Sequence, residues 1–297
     1  MAEVEAPAEL TRIVRVLAPN PGLRELEGTN TWVVGRWPAV VIDPGVEDPA
    51  HLDEVVEAAG RVGAVLLTHD HPDHAPGALA LGVRTGAPVY AARPAEGMRR
   101  LHDGQEIRIP GVTLRVVATP GHSPDHVAFF LERDGALFTG DLVLGRGTSV
   151  IDPPEGDLVQ YLRSLRRLRD LRPRRIYPGH GPVVLDAMAK LDEYLAHREE
   201  RERQVLEALA EGPRTPEELV PGIYAGYPAE LHPLAARSVL AHLLKLEAEG
   251  RVERVRSGGE TRFALADPRS CERCGRPVRG RGRLCGPCSL ALLQERG

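Results

Sequence analysis

A mixed α and β domain followed by two smaller units is the architecture that the 297-residue sequence predicts. Up to about residue 195, short apolar runs bounded by turn residues alternate with stretches of helical periodicity, the pattern of packed strands and helices. Beyond that point comes a Glu- and Arg-rich helical stretch, then two more helices and a hairpin. The last thirty residues change character again, to Gly, Arg and Cys.

In chain order, the expected strands cover 13–17, 31–35, 39–43, 64–68, 112–118, 126–131, 136–139 and 175–177. Residues 49–59 and 158–171 carry the i, i+3, i+4 apolar spacing of helices that bury one face. Residues 185–209 run without Gly or Pro as a helix that stops at Gly212-Pro213. Thr215-Pro216-Glu217-Glu218 reads as an N-cap, a Pro at the first helical position and acids in the first turn. An apolar helix over 234–249 ends at Gly250, and strands 251–256 and 260–265 flank Ser257-Gly258-Gly259, a hairpin signal. Three helices and a hairpin are the layout of a winged helix. The expected domains are therefore 1–195, 196–267 and 268–297.

With 42% hydrophobic and 27% charged residues, the chain has ample material for a core and does not read as disordered. Its formal charge of −4 is too balanced for wholesale coating of nucleic acid or a membrane surface. That figure averages a tail of +5 (residues 268–297, seven Arg and two Glu) with a body of −9. The first sixteen residues lack a basic segment leading into an apolar run, and no stretch approaches the roughly 18 apolar residues of a membrane span. The expectation is a cytoplasmic protein with no membrane partner.

Eleven histidines and four cysteines point toward metal. Thr68-His69-Asp70-His71-Pro72-Asp73-His74 follows the apolar run AVLL, so three imidazoles and two carboxylates stand at the end of a strand. Gly121-His122-Ser123, Gly140-Asp141 and Gly179-His180-Gly181 repeat the arrangement: an apolar strand, a small residue, then a ligand-type residue. Loops that leave the same end of a sheet converge on one point although they are far apart in sequence, and glycine lets the backbone approach closely. Neutral imidazoles with carboxylates suit zinc, and Mn2+ or Fe2+ tolerate the same set.

This motif set resembles the metallo-beta-lactamase superfamily over roughly residues 10–195, and the resemblance implies a four-layer αββα sandwich. Carried over by position, His69, His71 and His122 hold one metal, Asp73, His74 and His180 the other, and Asp141 bridges them. Asp73 also orients the attacking hydroxide and accepts its proton. Gly140-Asp141 and the lack of an export signal are unlike the antibiotic-degrading members. The 38 residues between Asp141 and His180 leave no room for the inserted domain of the long nuclease branch. Gly28-Thr29-Asn30-Thr31-Trp32, the run Gly140-Asp141-Leu142-Val143-Leu144-Gly145 and the winged-helix-like unit look like the lactamase-beta-2-like branch. Within it Thr29, Asn30 and His126 are candidate substrate contacts, and Asp125 is a candidate supporting partner. Asp70 is expected to support the metal loop, and His51, His102, His197, His232 and His242 to be solvated or packed.

The resemblance implies a hydrolase that uses a hydroxide bridged between two zinc ions on an ester, thioester or lactone-type small molecule. Single-stranded RNA is the alternative substrate, and a non-catalytic nucleic-acid-binding regulator a third reading. A homo-oligomer is compatible with such a fold. In the tail, Cys271-x2-Cys274 and Cys285-x2-Cys288 have the spacing of two zinc knuckles, so one structural Zn2+ on four thiolates is expected. So short a segment has almost no apolar core, and the metal would supply most of its folding free energy.

Overall fold

The computed structural model describes residues 10–257, 259–266, 269–270 and 277–278. Cys271, Cys274, Cys285 and Cys288 lie outside the described residues. By contact the chain divides into two compact units, Met1–Ser149 with Gln160–Leu195 and Val150–Val159 with Ala196–Gly297. The ten residues Val150–Val159, which the sequence pattern places in the first domain, thus go with the second unit.

Two sheets form the first unit. Strands β1 (Ile13–Leu17), β2 (Asn30–Gly35), β3 (Ala39–Ile42), β4 (Val62–Leu66), β5 (Val89–Ala91) and β6 (Arg99–Arg100) lie side by side in that order. In the second sheet the order is β11-β10-β9-β8-β7, from β7 (Glu106–Ile109), β8 (Val112–Ala118), β9 (Val127–Leu131), β10 (Ala136–Gly140) and β11 (Arg175–Pro178). Facing side chains fuse the sheets: Val34, Val40, Ile42 and Leu66 pack with Leu114, Val116, Phe129 and Phe138 in one buried cluster. Alternate residues of the first sheet, Val33, Val41, Val65 and Leu67, face the other way onto helices. This two-sided burial explains why β2, β3 and β4 read as continuous apolar runs.

Helix α1 (Pro49–Ala59) starts where the Asp48 side chain accepts the His51 N–H, buries Leu52, Val55 and Ala59, and stops at Gly60. Helix α2 (Pro76–Thr85) joins it through buried Ala78 and Leu81 and was not expected from sequence. Its two glycines suppress the helical signal. They are there for packing, since a Cβ on Gly82 would come within 2.5 Å of Val89 Cγ2, and one on Gly77 within 3.0 Å of the Val46 carbonyl. Helix α3 (Leu158–Asp170) is tied to the segment after β8, with Ser164 Oγ donating to the Pro120 carbonyl at 2.7 Å. Strands β5, β6 and β7 were also missed, being short or charged.

The topology sends five segments out of one end. β3 runs parallel to β4, and β10 parallel to β11, so the chain after Ile42, Leu66, Gly140 and Pro178 emerges in pairs. β8 is antiparallel to β9 and β9 to β10, which gives β8 the direction of β10. Two backbone bonds close the sheets together there, Val127 N–H to the Thr68 carbonyl at 2.8 Å and Asn30 N–H to the Gly179 carbonyl at 2.7 Å.

In the second unit, the carboxyl half of α4 (Ala187–Leu209), α5 (Pro216–Ile223) and α6 (His232–Ala248) share a core with β12 (Val252–Ser257) and β13 (Glu260–Leu265). Val205, Leu219, Leu243, Leu246 and Phe263 are its buried centre. Thr215 and Glu218 form the expected cap reciprocally, each side chain bonded to the other's backbone N–H. Among the described residues no helix is long and apolar enough to cross a membrane.

Candidate metal centre

Four of the five outgoing segments bring all seven candidate ligands together in two groups, His69 with His71 and His122, and Asp73 with His74, Asp141 and His180. Within each group the donor atoms lie within 4.8 Å of one another. His71 Nδ1 is 3.1 Å from His122 Nε2. His180 Nε2 is 3.0 Å from Asp73 Oδ2 and 3.3 Å from Asp141 Oδ1, while His74 Nε2 is 3.3 Å from Asp73 Oδ2. Asp141 faces both groups, Oδ1 toward His74 and His180, and Oδ2 toward His122 at 3.8 Å.

Second contacts select which imidazole nitrogen faces inward. Asp43 Oδ1 accepts the Thr68 N–H at 2.8 Å, and Oδ2 accepts the Thr68 hydroxyl at 2.7 Å and pairs with His74 Nδ1 at 3.0 Å. With its proton given to Asp43, the Thr68 oxygen is left to accept from His69 Nδ1 at 3.0 Å. His180 Nδ1 meets the Gly28 carbonyl at 3.2 Å, and His122 Nδ1 meets Ser149 Oγ at 3.2 Å. In these four rings a contact at Nδ1 turns Nε2 toward the cluster, whereas His71 faces inward through Nδ1.

Sequence reasoning missed Asp43 and Ser149. Asp43 carries the signal used for the others, since it follows the apolar strand AVVI directly. It is 1% exposed and held at φ 49°, a conformation Asp tolerates better than most residues. Ser149 has no such marker.

Two buried atoms without hydrogen-bond partners, His69 Nε2 and Asp141 Oδ1, belong to this cluster. Unsatisfied buried polar atoms are costly, and a cation among them would remove the cost. Charge makes the same demand. Burial opposes protonation of His180, yet Asp141 and Asp73 outweigh it and push its pKa up to about 10. Burial likewise opposes the charged form of His74, and Asp141, Asp43 and Asp73 overcome it. Burial would raise the Asp73 and Asp141 carboxyls, but the neighbouring His74 and His180 charges hold both below the usual carboxylate range. His69 shifts down, through burial and then repulsion from His74 and His126. Three carboxylates thus draw positive charge into a buried pocket of imidazoles, a donor set that fits divalent cations.

The three expected substrate contacts are all buried. Thr29 and Asn30 are 0% exposed. Asn30 Nδ2 donates to the Pro178 and Gly181 carbonyls, and Thr29 forms a backbone bridge to His180. Both serve the loop that carries His180. His126 is 1% exposed, with Nδ1 on Thr119 Oγ1 at 2.8 Å. Asp70 is paired with Arg93, Asp125 accepts from Ser123 Oγ at 2.8 Å, and His51 is buried against Thr31 Oγ1 and the Pro44 carbonyl.

Residues 24–103 and 94–180 match the family described as Metallo-beta-lactamase superfamily, and residues 215–260 match the Beta-lactamase associated winged helix domain. The chain belongs to the metallo-beta-lactamase superfamily. Among superfamily relatives, the "Beta-lactamase-like protein 2 homolog" of Drosophila melanogaster is 36% identical, over 91% of this chain and 99% of that protein. The "Atrochrysone carboxyl ACP thioesterase" of Aspergillus chevalieri is also 36% identical, over 87% of this chain and 88% of that protein. The crystal structure of a metallo-beta-lactamase family protein from Thermus thermophilus superposes with a TM-score of 0.72 at 26% identity, covering 85% of this chain and 98% of that one. The fold is thus a metallo-beta-lactamase fold with a carboxyl-terminal winged helix domain, and the His and Asp cluster is a candidate site for divalent metal.

Proposed function

We propose that the protein is a dinuclear zinc hydrolase of ester or thioester-type small molecules, with Mn2+ or Fe2+ as admissible replacements. The observation that carries this reading is the pair of adjoining donor groups joined by Asp141. His69, His71 and His122 would hold one ion, Asp73, His74 and His180 the other, with Asp141 available to both. When bound, two divalent ions supply Lewis acidity and bring the pKa of a water into the neutral range. Asp73, whose side chain is 20% exposed, is the most open carboxylate of the cluster. It orients the attacking water and takes its proton as the carbonyl carbon is attacked. Closely packed His69 and His74 lie behind it and exclude further solvent. The thioesterase named above supports a thioester substrate, because it is similar in sequence over most of both chains.

Residues 196–266 offer single-stranded RNA little. Residues 196–266 hold ten Arg or Lys against twelve Asp or Glu. Arg203, Arg214, Lys245, Arg251, Arg254 and Arg262 are each paired with a carboxylate. Phosphate recognition needs a basic surface free to release counterions.

We also place one structural zinc on Cys271, Cys274, Cys285 and Cys288. Their spacing supports it, as does the antiparallel ladder on either side of the first pair, where Arg269 faces Val278 and Ser270 faces Pro277.

The deciding experiment is a screen of the full-length, metal-quantified protein against thioesters, esters, lactones and single-stranded RNA, with Asp73→Ala alongside. Expected is metal-dependent turnover of a thioester or ester that Asp73→Ala lowers by about 100-fold or more. Cleavage of RNA alone, or full activity in the variant, rejects the assignment.

A further inference from the structure

Residues 141–149 carry one candidate ligand and touch two others. Asp141 starts the segment. At its middle Gly145 N–H donates to the His180 carbonyl at 2.9 Å, an approach open only to glycine, since a Cβ there would lie 2.1 Å from the Pro182 carbonyl oxygen. At its end Ser149 Oγ reaches His122 Nδ1 at 3.2 Å. Ser149 is 3% exposed, so bulk water does not compete for that nitrogen.

The segment is pinned from α4. Tyr194, fully buried, accepts the Leu144 N–H at 2.8 Å and donates its hydroxyl proton to the Gly147 carbonyl at 3.0 Å. Tyr161 of α3 donates to the Leu142 carbonyl at 2.6 Å. Three other rings have their partners at or beside strand ends: Thr68 for His69, Asp43 for His74 and the Gly28 carbonyl for His180. For His122 that acceptor arrives on a loop whose course a tyrosine sets.

We propose that Ser149 is a positioning residue that holds His122 in the tautomer with its proton on Nδ1, and that Tyr194 sets where Ser149 stands. The inference rests on the two-metal reading above. Without the Ser149 oxygen His122 Nδ1 loses this contact, and the ring is held less firmly in that tautomer and orientation. The group of His69, His71 and His122 then weakens, while the group of Asp73, His74 and His180 keeps its own supports.

The test is a Co2+ titration of the full-length protein followed by visible absorption, for the wild type, Ser149→Ala, Ser149→Thr and Tyr194→Phe. The wild type is expected to take up two ions at the centre. In Ser149→Ala one of the two binds about 10 to 100-fold more weakly, with an altered spectrum, and the other is unchanged. Ser149→Thr keeps the acceptor and restores the wild-type curve. Tyr194→Phe, which touches no ligand, weakens the same ion in the same direction. If Ser149→Ala does not fold, Ser149→Cys, similar in size with a weak acceptor, takes its place and is expected to weaken that ion too. Superimposable curves for Ser149→Ala and the wild type overturn the proposal, as does equal weakening of both ions. Uptake of fewer than two ions by the wild type overturns the two-metal reading itself.

Discussion

Gly179 stands where a methyl group has no room. A Cβ at this position would come within 2.6 Å of Asp141 Oδ1 and 2.8 Å of His74 Cε1, so Gly179→Ala displaces two donors at once. Its expected outcome is a protein that folds but purifies with less than half the wild-type metal at the centre, as read by elemental analysis. Asp43 works through hydrogen bonds. It fixes His74 directly and His69 through Thr68, so it serves one ligand of each group. Asp43→Asn replaces an acceptor-only carboxylate with an amide that accepts on one atom alone. Metal affinity is expected to fall about 10 to 100-fold, measured by competition with a chromophoric chelator. Residues of this scale were legible in the sequence when they stood in a row, as His69 to His74 do. They were illegible when only folding makes them neighbours, as with Ser149 and His122, 27 positions apart.

Elements follow the same division. Helix α1 was readable to its ends because Asp48, Pro49 and Gly60 punctuate it and Leu52, Val55 and Ala59 keep a helical period. Helix α2 has an Ala at its N-cap with no side-chain bond, and the sheet demands its glycines, so tertiary packing overrides propensity. Strand β6 is Arg99–Arg100, two exposed charged residues with no apolar pattern to find. Helix α6 carries a testable liability. His242 is 1% exposed, and burial, then the charges of Arg198 and Lys245, hold its pKa well below that of a free imidazole. The folded chain keeps this ring neutral while the unfolded chain protonates it near pH 6.5. Stability is therefore fully present above that pH and is lost as pH falls, by at most about 1.4 kcal/mol per pH unit. Thermal unfolding from pH 7.5 to 5.5 should fall more steeply for the wild type than for His242→Leu. Identical slopes would remove His242 from the account.

At the scale of the whole molecule, two metal chemistries are expected in one chain. A Cys271→Ser, Cys285→Ser double variant should lose one zinc per chain while keeping two at the His and Asp cluster. Loss of all three, or of none, would contradict separate sites. The overall charge of −4 foretold little about partners, because pairing of opposite charges decides what a surface offers. Fold class was legible from periodicity and the motif set, whereas the unit to which 150–159 belongs was not, since proximity in sequence hides it. That ten-residue departure means that the polypeptide crosses between its two units at 149/150, 159/160 and 195/196. A single cut near residue 195 therefore leaves Ile151 and Leu158, which are 0% and 3% exposed in the intact chain, without the rest of their unit. Excision or grafting of the second unit therefore has to respect three junctions.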